Sequence, residues 1–124
     1  MSKVQIANFP KILRDAKAKI QNPENWTKGL YAKDSHGHPV PPQNPAAVCW
    51  CALGAIKAIT DNGRVEDSTA DFLYRAFDMN RKSFSGAACP VDVNDRLHHQ
   101  KVLELYDLAI KIAEEESNQE DNNV

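Results

Sequence analysis

The longest apolar run, "AAVCWCALGAI" at residues 46–56, constrains the fold most strongly. Its 11 residues fall well short of the roughly 20 needed to cross a bilayer. The run must therefore be buried in protein, and the rest of the chain must supply the elements that cover it. Asn44 offers an N-cap and Pro45 fits a first helical position, which predicts a helix from there to about Thr60, closed by "DNG". A helix that is apolar all round is one surrounded by others. Gly54 costs about 1 kcal/mol against Ala in a helix interior, so its use predicts close approach of a neighbouring backbone. On this reading Trp50 fills space toward the stripe of the last helix.

The covering elements follow from periodicity. Phe9, Ile12, Leu13, Ala16 and Ile20 form an apolar stripe, with Asn8 as N-cap and Pro10 in the first turn, which predicts a helix over Phe9–Ile20. Phe72, Leu73, Ala76 and Phe77 predict a helix over Ser68–Asn80. Val102, Leu103, Tyr106, Ala109, Ile110 and Ala113 predict one over Arg96–Glu115. Between helices 1 and 2, Leu30, Tyr31 and Val40 flank "DSHG", turn chemistry that predicts a small β-hairpin. The expected fold is mainly α: a four-helix globular domain around a central apolar helix, with one hairpin. At 124 residues such a domain buries roughly two thirds of its unfolded surface and needs no staples.

Residues 114–124, "EEESNQEDNNV", carry five acids and no base, and predict a disordered tail after a single domain spanning residues 1–113. Without that tail the chain has 12 acids against 15 bases. This mild excess, with no aromatics interleaved among the bases of helix 1, argues against nucleic acid as a partner. The N-terminus has no apolar segment of signal-peptide type, and three cysteines are an odd number. The expectation is a cytoplasmic protein with reduced thiols and no membrane association.

The chemistry-bearing residues leave two classes open. Cys49, Cys51, Cys89 and four histidines are zinc-type ligands. Helical Cys49 and Cys51 would diverge by about 200°, however, and no second spaced pair exists, so no metal or other cofactor is expected. A Cys–His–Asn type of catalysis would use Cys51 with Asn94, Asp95 and His98. Gln43, six residues before Cys49, matches a papain-like offset without that family's surrounding Gly and Ser. Asp92, Asn94 and Asp95 also suit the cap of the last helix. Ligand or partner binding would draw on Trp26, Tyr31, Asp34, His36, Asn94 and Asp95, aromatic and polar groups outside the apolar stripes.

The stretches "ENWTKGLYAKDSHGHPV", "AAVCWCALGAI" and "VNDRLHHQKVLELYDLAI" together resemble an uncharacterised family of bacteria and phages, domain of unknown function 6197. The resemblance runs over about residues 9–113. It rests on Trp26, Asp34, Gly37, Trp50, Cys51, Gly54, Ala55, Asn94 and Asp95. "RLHH" stands where many members carry a Gly. The resemblance implies a shared fold and no activity, and it singles out Cys51 over Cys49. Its phage members imply an accessory role, such as inhibiting a host defence protein or sequestering a small ligand. The sequence therefore points to a binding protein with a protein partner or small-molecule ligand, able to form homo-oligomers. The rival is an enzyme built on Cys51.

Overall fold

A computed structural model describes residues 7–122. It contains five α-helices: α1 (Phe9–Ile20), α2 (Ala52–Ile59), α3 (Gly63–Met79), α4 (Pro90–Arg96) and α5 (His99–Asn122). Two short strands, β1 (Ala32–Lys33) and β2 (Cys49–Trp50), lie between α1 and α2. Single 3₁₀ turns sit at Pro23–Asn25 and Arg81–Phe84. The mainly helical class with a small antiparallel sheet is as expected.

Helix α1 forms where its local signals place it. The Asn8 side chain accepts from the Lys11 amide at 3.1 Å, and Leu13, Ala16 and Ile20 are buried. Helix α3 starts five residues earlier than the apolar stripe predicted. The Asn62 carboxamide takes the Arg64 and Val65 amides, so "DNG" opens α3 instead of closing α2. The last predicted helix is in fact two. Leu97 and His98 break it, because the α4 chain turns extended at Leu97. Asp92, an expected cap of the last helix, instead accepts from the Ala88 amide in front of α4. α5 then runs through the acidic stretch to Asn122. Glu114 and Glu116 of that stretch pair with Arg14 of α1 and Arg75 of α3. Residues 123 and 124 of the expected tail lie outside the described residues.

The largest departure concerns the apolar run itself. Asn44 and Pro45 begin a turn and not a helix: the Asn44 side chain accepts from the Ala46 amide, and its carbonyl from Ala47. Cys49 and Trp50 then pair antiparallel with Lys33 and Ala32. The helix starts only at Ala52, with Cys51 in extended conformation as its N-cap. Long-range strand pairing thus overrides local cap signals that turns and helix starts share. The predicted hairpin is corrected in the same way. "DSHG" does turn the chain back, with Pro39 bridging Lys33, but the strand partner of β1 is Cys49–Trp50 and not the Val40 segment. Trp50 is half-buried beside α1. Lys19 Nζ lies 4.2 Å from its ring centroid, and its indole donates to the Pro42 carbonyl at 2.9 Å.

The core is built from Leu13, Ala16 and Ile20 of α1, Ala55 and Ile56 of α2, Leu73, Ala76 and Phe77 of α3, Val93 of α4, and Val102, Leu105, Tyr106 and Ala109 of α5. α1 packs against both α2 and α5, and α3 packs against α5. Gly54 is where the chain crosses most tightly. A Cβ built on it would sit 1.9 Å from the Tyr31 carbonyl oxygen. The close approach predicted for Gly54 exists, and the neighbour is the backbone leading into β1.

Candidate functional site

Where α2 begins, the residues 28–31 segment and α4 converge on it. Between them lies a cleft of about 390 Å³, lined by Leu30, Tyr31, Leu53 and Val91 on its apolar side and by Cys51, Asn94 and Asp95 on its polar side. This volume is near the lower end for small-ligand sites. Leu30, Tyr31 and Val91 are large apolar side chains left open to water.

Asn94 is the hub beneath the cleft and is 2% exposed. Its Oδ1 accepts from Trp26 Nε1 at 2.6 Å and from the Ala52 amide at 2.9 Å. Its Nδ2 donates to the Thr27 carbonyl and to Asp95 Oδ1, both at 3.0 Å. One carboxamide therefore ties the loop after α1, the first turn of α2 and α4 together. These four bonds use its full capacity of two donors and two strong acceptor sites. Asn94 holds the site and has little left for a ligand. Tyr106 supports the same corner from below: fully buried, its hydroxyl donates to the Ala52 carbonyl at 2.5 Å. Burial keeps that phenol protonated far above its usual range.

Asp95 faces outward from this hub. Its Oδ1 accepts from the Gly29 amide at 3.0 Å as well as from Asn94. Gly29 has φ of +79°, a conformation that turns its N–H toward the carboxylate and that a side chain would strain. Among the described residues no cation pairs with Asp95, and Oδ2 takes no hydrogen bond. The cleft thus presents one oriented carboxylate oxygen beside an apolar wall.

Cys51 is the N-cap of α2, and its Sγ accepts from the Gly54 amide at 3.2 Å. Burial raises its thiol above the ordinary range, and the Asp95 charge adds to the rise. The Gly54 and Leu53 amides oppose it but do not outweigh burial. At neutral pH the group is a thiol, not a thiolate. The partners proposed for it from sequence divide. Asn94 and Asp95 line the same cleft, while His98 lies exposed in the link between α4 and α5 and does not line it. His99 is also engaged elsewhere: its Nε2 donates to the Ile20 carbonyl at 2.6 Å, and its ring lies 5.2 Å from that of Trp26. Gln43 does not face Cys51. It donates to the Lys57 and Thr60 carbonyls at the far end of α2.

Of the proposed binding residues, Tyr31, Asn94 and Asp95 come together at the cleft. Trp26 does not line it and serves Asn94 from behind. Asp34 and His36 sit apart in the turn after β1. There the Asp34 carboxylate accepts from the His38 and His36 amides, and the His38 amide above all holds its carboxyl below the usual range. Cys49 and Cys51 belong to a strand and a cap, so the helical divergence expected of them does not apply. Among the described residues no group of three or more His, Cys, Asp or Glu is placed to hold a metal ion. No helix there is long and apolar enough to cross a membrane. Sequence reading missed Gly29, Leu30, Leu53 and Val91 as lining residues. Leu30 was assigned to a strand, and Val91 carried no signal that set it apart from core.

A family model matches residues 7–112 of the chain, under the description family of unknown function, DUF6197. The chain belongs to that family. No curated protein and no solved structure matches this DUF6197 chain. Its site is therefore read from its own geometry.

Proposed function

We propose that the protein is a binding protein without catalytic chemistry, and that the cleft beside Asp95 takes a ligand group with an apolar body and a hydrogen-bond-donating, cationic head. The observation that carries this is the oriented carboxylate. Asp95 is fixed through one oxygen by Gly29 and Asn94, and its other oxygen has no partner among the described residues and lies next to Leu30, Tyr31, Leu53 and Val91. An amine or guanidinium group would pair with it while its carbon skeleton covers the apolar wall.

The same geometry disfavours the cysteine enzyme. Cys51 is neutral at physiological pH, its sulfur is engaged with the Gly54 amide, and among the described residues no imidazole lines the cleft. Carboxylates as a class are far weaker bases than thiolates and serve a thiol poorly as general base. A cytoplasmic accessory role, by sequestering a small ligand or by occupying a host protein, is part of this proposal. The odd number of cysteines and the resemblance to phage proteins support it.

Ligand-observed NMR with phenethylamine and with 3-phenylpropionate tests the reading. The amine is expected to bind and the acid not to bind. Asp95→Asn should weaken the amine several-fold. Equal binding of both probes, binding of neither, or turnover of a substrate abolished by one substitution at Cys51 would overturn it.

A further inference from the structure

A second cleft, of about 330 Å³, adjoins the first. Tyr31 and Leu53 line both, so Tyr31, with 51% of its surface open, is the ridge between them. The far wall of the second cleft is α3, which contributes Glu66, Asp67, Asp71 and the exposed ring of Tyr74. Together the two clefts carry four carboxylates against the single ammonium of Lys57. Lys57 is already committed: its Nζ lies 2.5 Å from Glu66 and 4.8 Å from the Tyr31 ring centroid. Asp71 lies 4.0 Å from Arg75, whose other nitrogen is held by Glu116. Asp67 pairs with no cation among the described residues. The groove is thus mainly apolar in the first cleft, aromatic at its ridge and acidic at both ends.

We infer that this groove docks an extended peptide segment of a partner protein, with an apolar side chain on the wall of the first cleft, a main-chain N–H of the peptide donating to the open oxygen of Asp95, and an Arg or Lys side chain against Asp67 and Asp71 in the second. The inference rests on the first cleft being a ligand site. Spacing supports it. Cavities of 390 and 330 Å³ are about 7 Å across, and side chains two residues apart on an extended chain are separated by about 7 Å. Charge supports it too, since Asp67 and Asp95, which pair with no cation among the described residues, call for a basic partner. The open apolar groups Leu30, Tyr31, Tyr74 and Val91 favour a peptide over a polyamine, which has no large apolar group to cover them. Contiguous exposed apolar surface rimmed by charge is a feature of protein-binding sites, and tyrosine is enriched in them.

The test is an array of nine-residue peptides on a Gly/Ser background. Each carries Leu, Phe or Met and, one to four positions away, Arg or Lys, with Glu and Ser at those positions as controls. Retention is expected for pairs two residues apart and not for the controls. The best peptide is then titrated by fluorescence polarisation. Asp67→Asn with Asp71→Asn, both at exposed positions, should weaken it about tenfold. Tyr31→Ala should weaken it comparably, with unchanged melting of each variant as the control for folding. Several results would overturn the inference: no retained peptide, retention indifferent to the Asp67/Asp71 pair, spermine competing as tightly as the peptide, or self-association of the chain that masks Tyr31. Phenethylamine separates the two levels. If it binds and loses affinity in Asp95→Asn while no peptide is retained, only the peptide inference fails. If neither binds, the ligand site itself fails.

Discussion

Gly54→Ala is the sharpest single perturbation of the wall that forms the cleft. The added Cβ would stand 1.9 Å from the Tyr31 oxygen and 2.7 Å from its carbonyl carbon. Ordinary contact requires more than 3 Å, so the backbone at Tyr31 or the start of α2 must move by over 1 Å. The Tyr31 oxygen also accepts from the Cys51 amide at 3.2 Å, one residue from the Ala32–Trp50 pair. Overpacking of this kind costs about 2–3 kcal/mol, and loss of that hydrogen bond adds about 1 kcal/mol. Ala gains back about 1 kcal/mol in helix propensity. The net is a destabilisation of about 2–3 kcal/mol, which for a chain of this length lowers Tm by about 10 °C. Gly63→Ala is the paired control. Gly63 is the first residue of α3, and a Cβ there meets nothing within 4 Å, so its melting should match or slightly exceed that of the parent. Thermal unfolding followed by circular dichroism decides. A Gly54→Ala protein melting within 2 °C or so of the parent, or a Gly63→Ala protein falling equally far, would refute the close-approach argument.

Asn94→Ala should be more damaging than its modest volume change suggests, because it leaves the Trp26 indole N–H, the Ala52 amide and the Thr27 carbonyl without their partner. A loss of about 3–5 kcal/mol is expected in urea unfolding, and a loss below 1 kcal/mol would show that the hub is not needed. Cys51→Ser should be close to neutral or stabilising in the same assay, since serine is a favoured N-cap and the Gly54 amide is placed to donate to its hydroxyl oxygen; a loss above 2 kcal/mol would contradict the cap. Thiol labelling of the native protein should be slow at Cys51 at pH 7 and accelerate only above about pH 9, because burial raises this thiol. Fast labelling at pH 6 would restore the nucleophile. For stability the sign follows from the same shift. A thiol and a phenol whose folded pKa values are raised, Cys51 and Tyr106, contribute no pH dependence below their unfolded values. They favour unfolding as pH rises beyond those values, so urea midpoints should fall from about pH 9 upward.

The parts of the fold legible in the sequence are those set by neighbours along the chain. α1 needs only Asn8, Pro10 and a stripe of 3.6 period, and all are local. The middle of α3 and the first half of α5 carry the same kind of stripe. The "CWC" segment is not legible locally, because its conformation is decided by Ala32 and Lys33, some 17 residues away in sequence. Asn44 and Pro45 give the same signals whether a turn or a helix follows. Gly54 was legible because a glycine inside an apolar helix has a cost that only a close contact offsets. The site was half legible. Polarity marked Asn94 and Asp95, but nothing local shows that one is consumed by four hydrogen bonds while the other faces open space. Leu30 and Val91 look like core in sequence and become cleft wall only because three elements converge on them.

A crystallographic screen with small arylalkylamines tests the central claim most directly. The account predicts density in the cleft between Leu30, Tyr31, Leu53 and Val91, with the amine nitrogen within hydrogen-bond distance of Asp95, about 2.7–2.9 Å, and with Asn94 unmoved. Amines found repeatedly elsewhere on the molecule, with the Asp95 cleft empty in every structure, would contradict it.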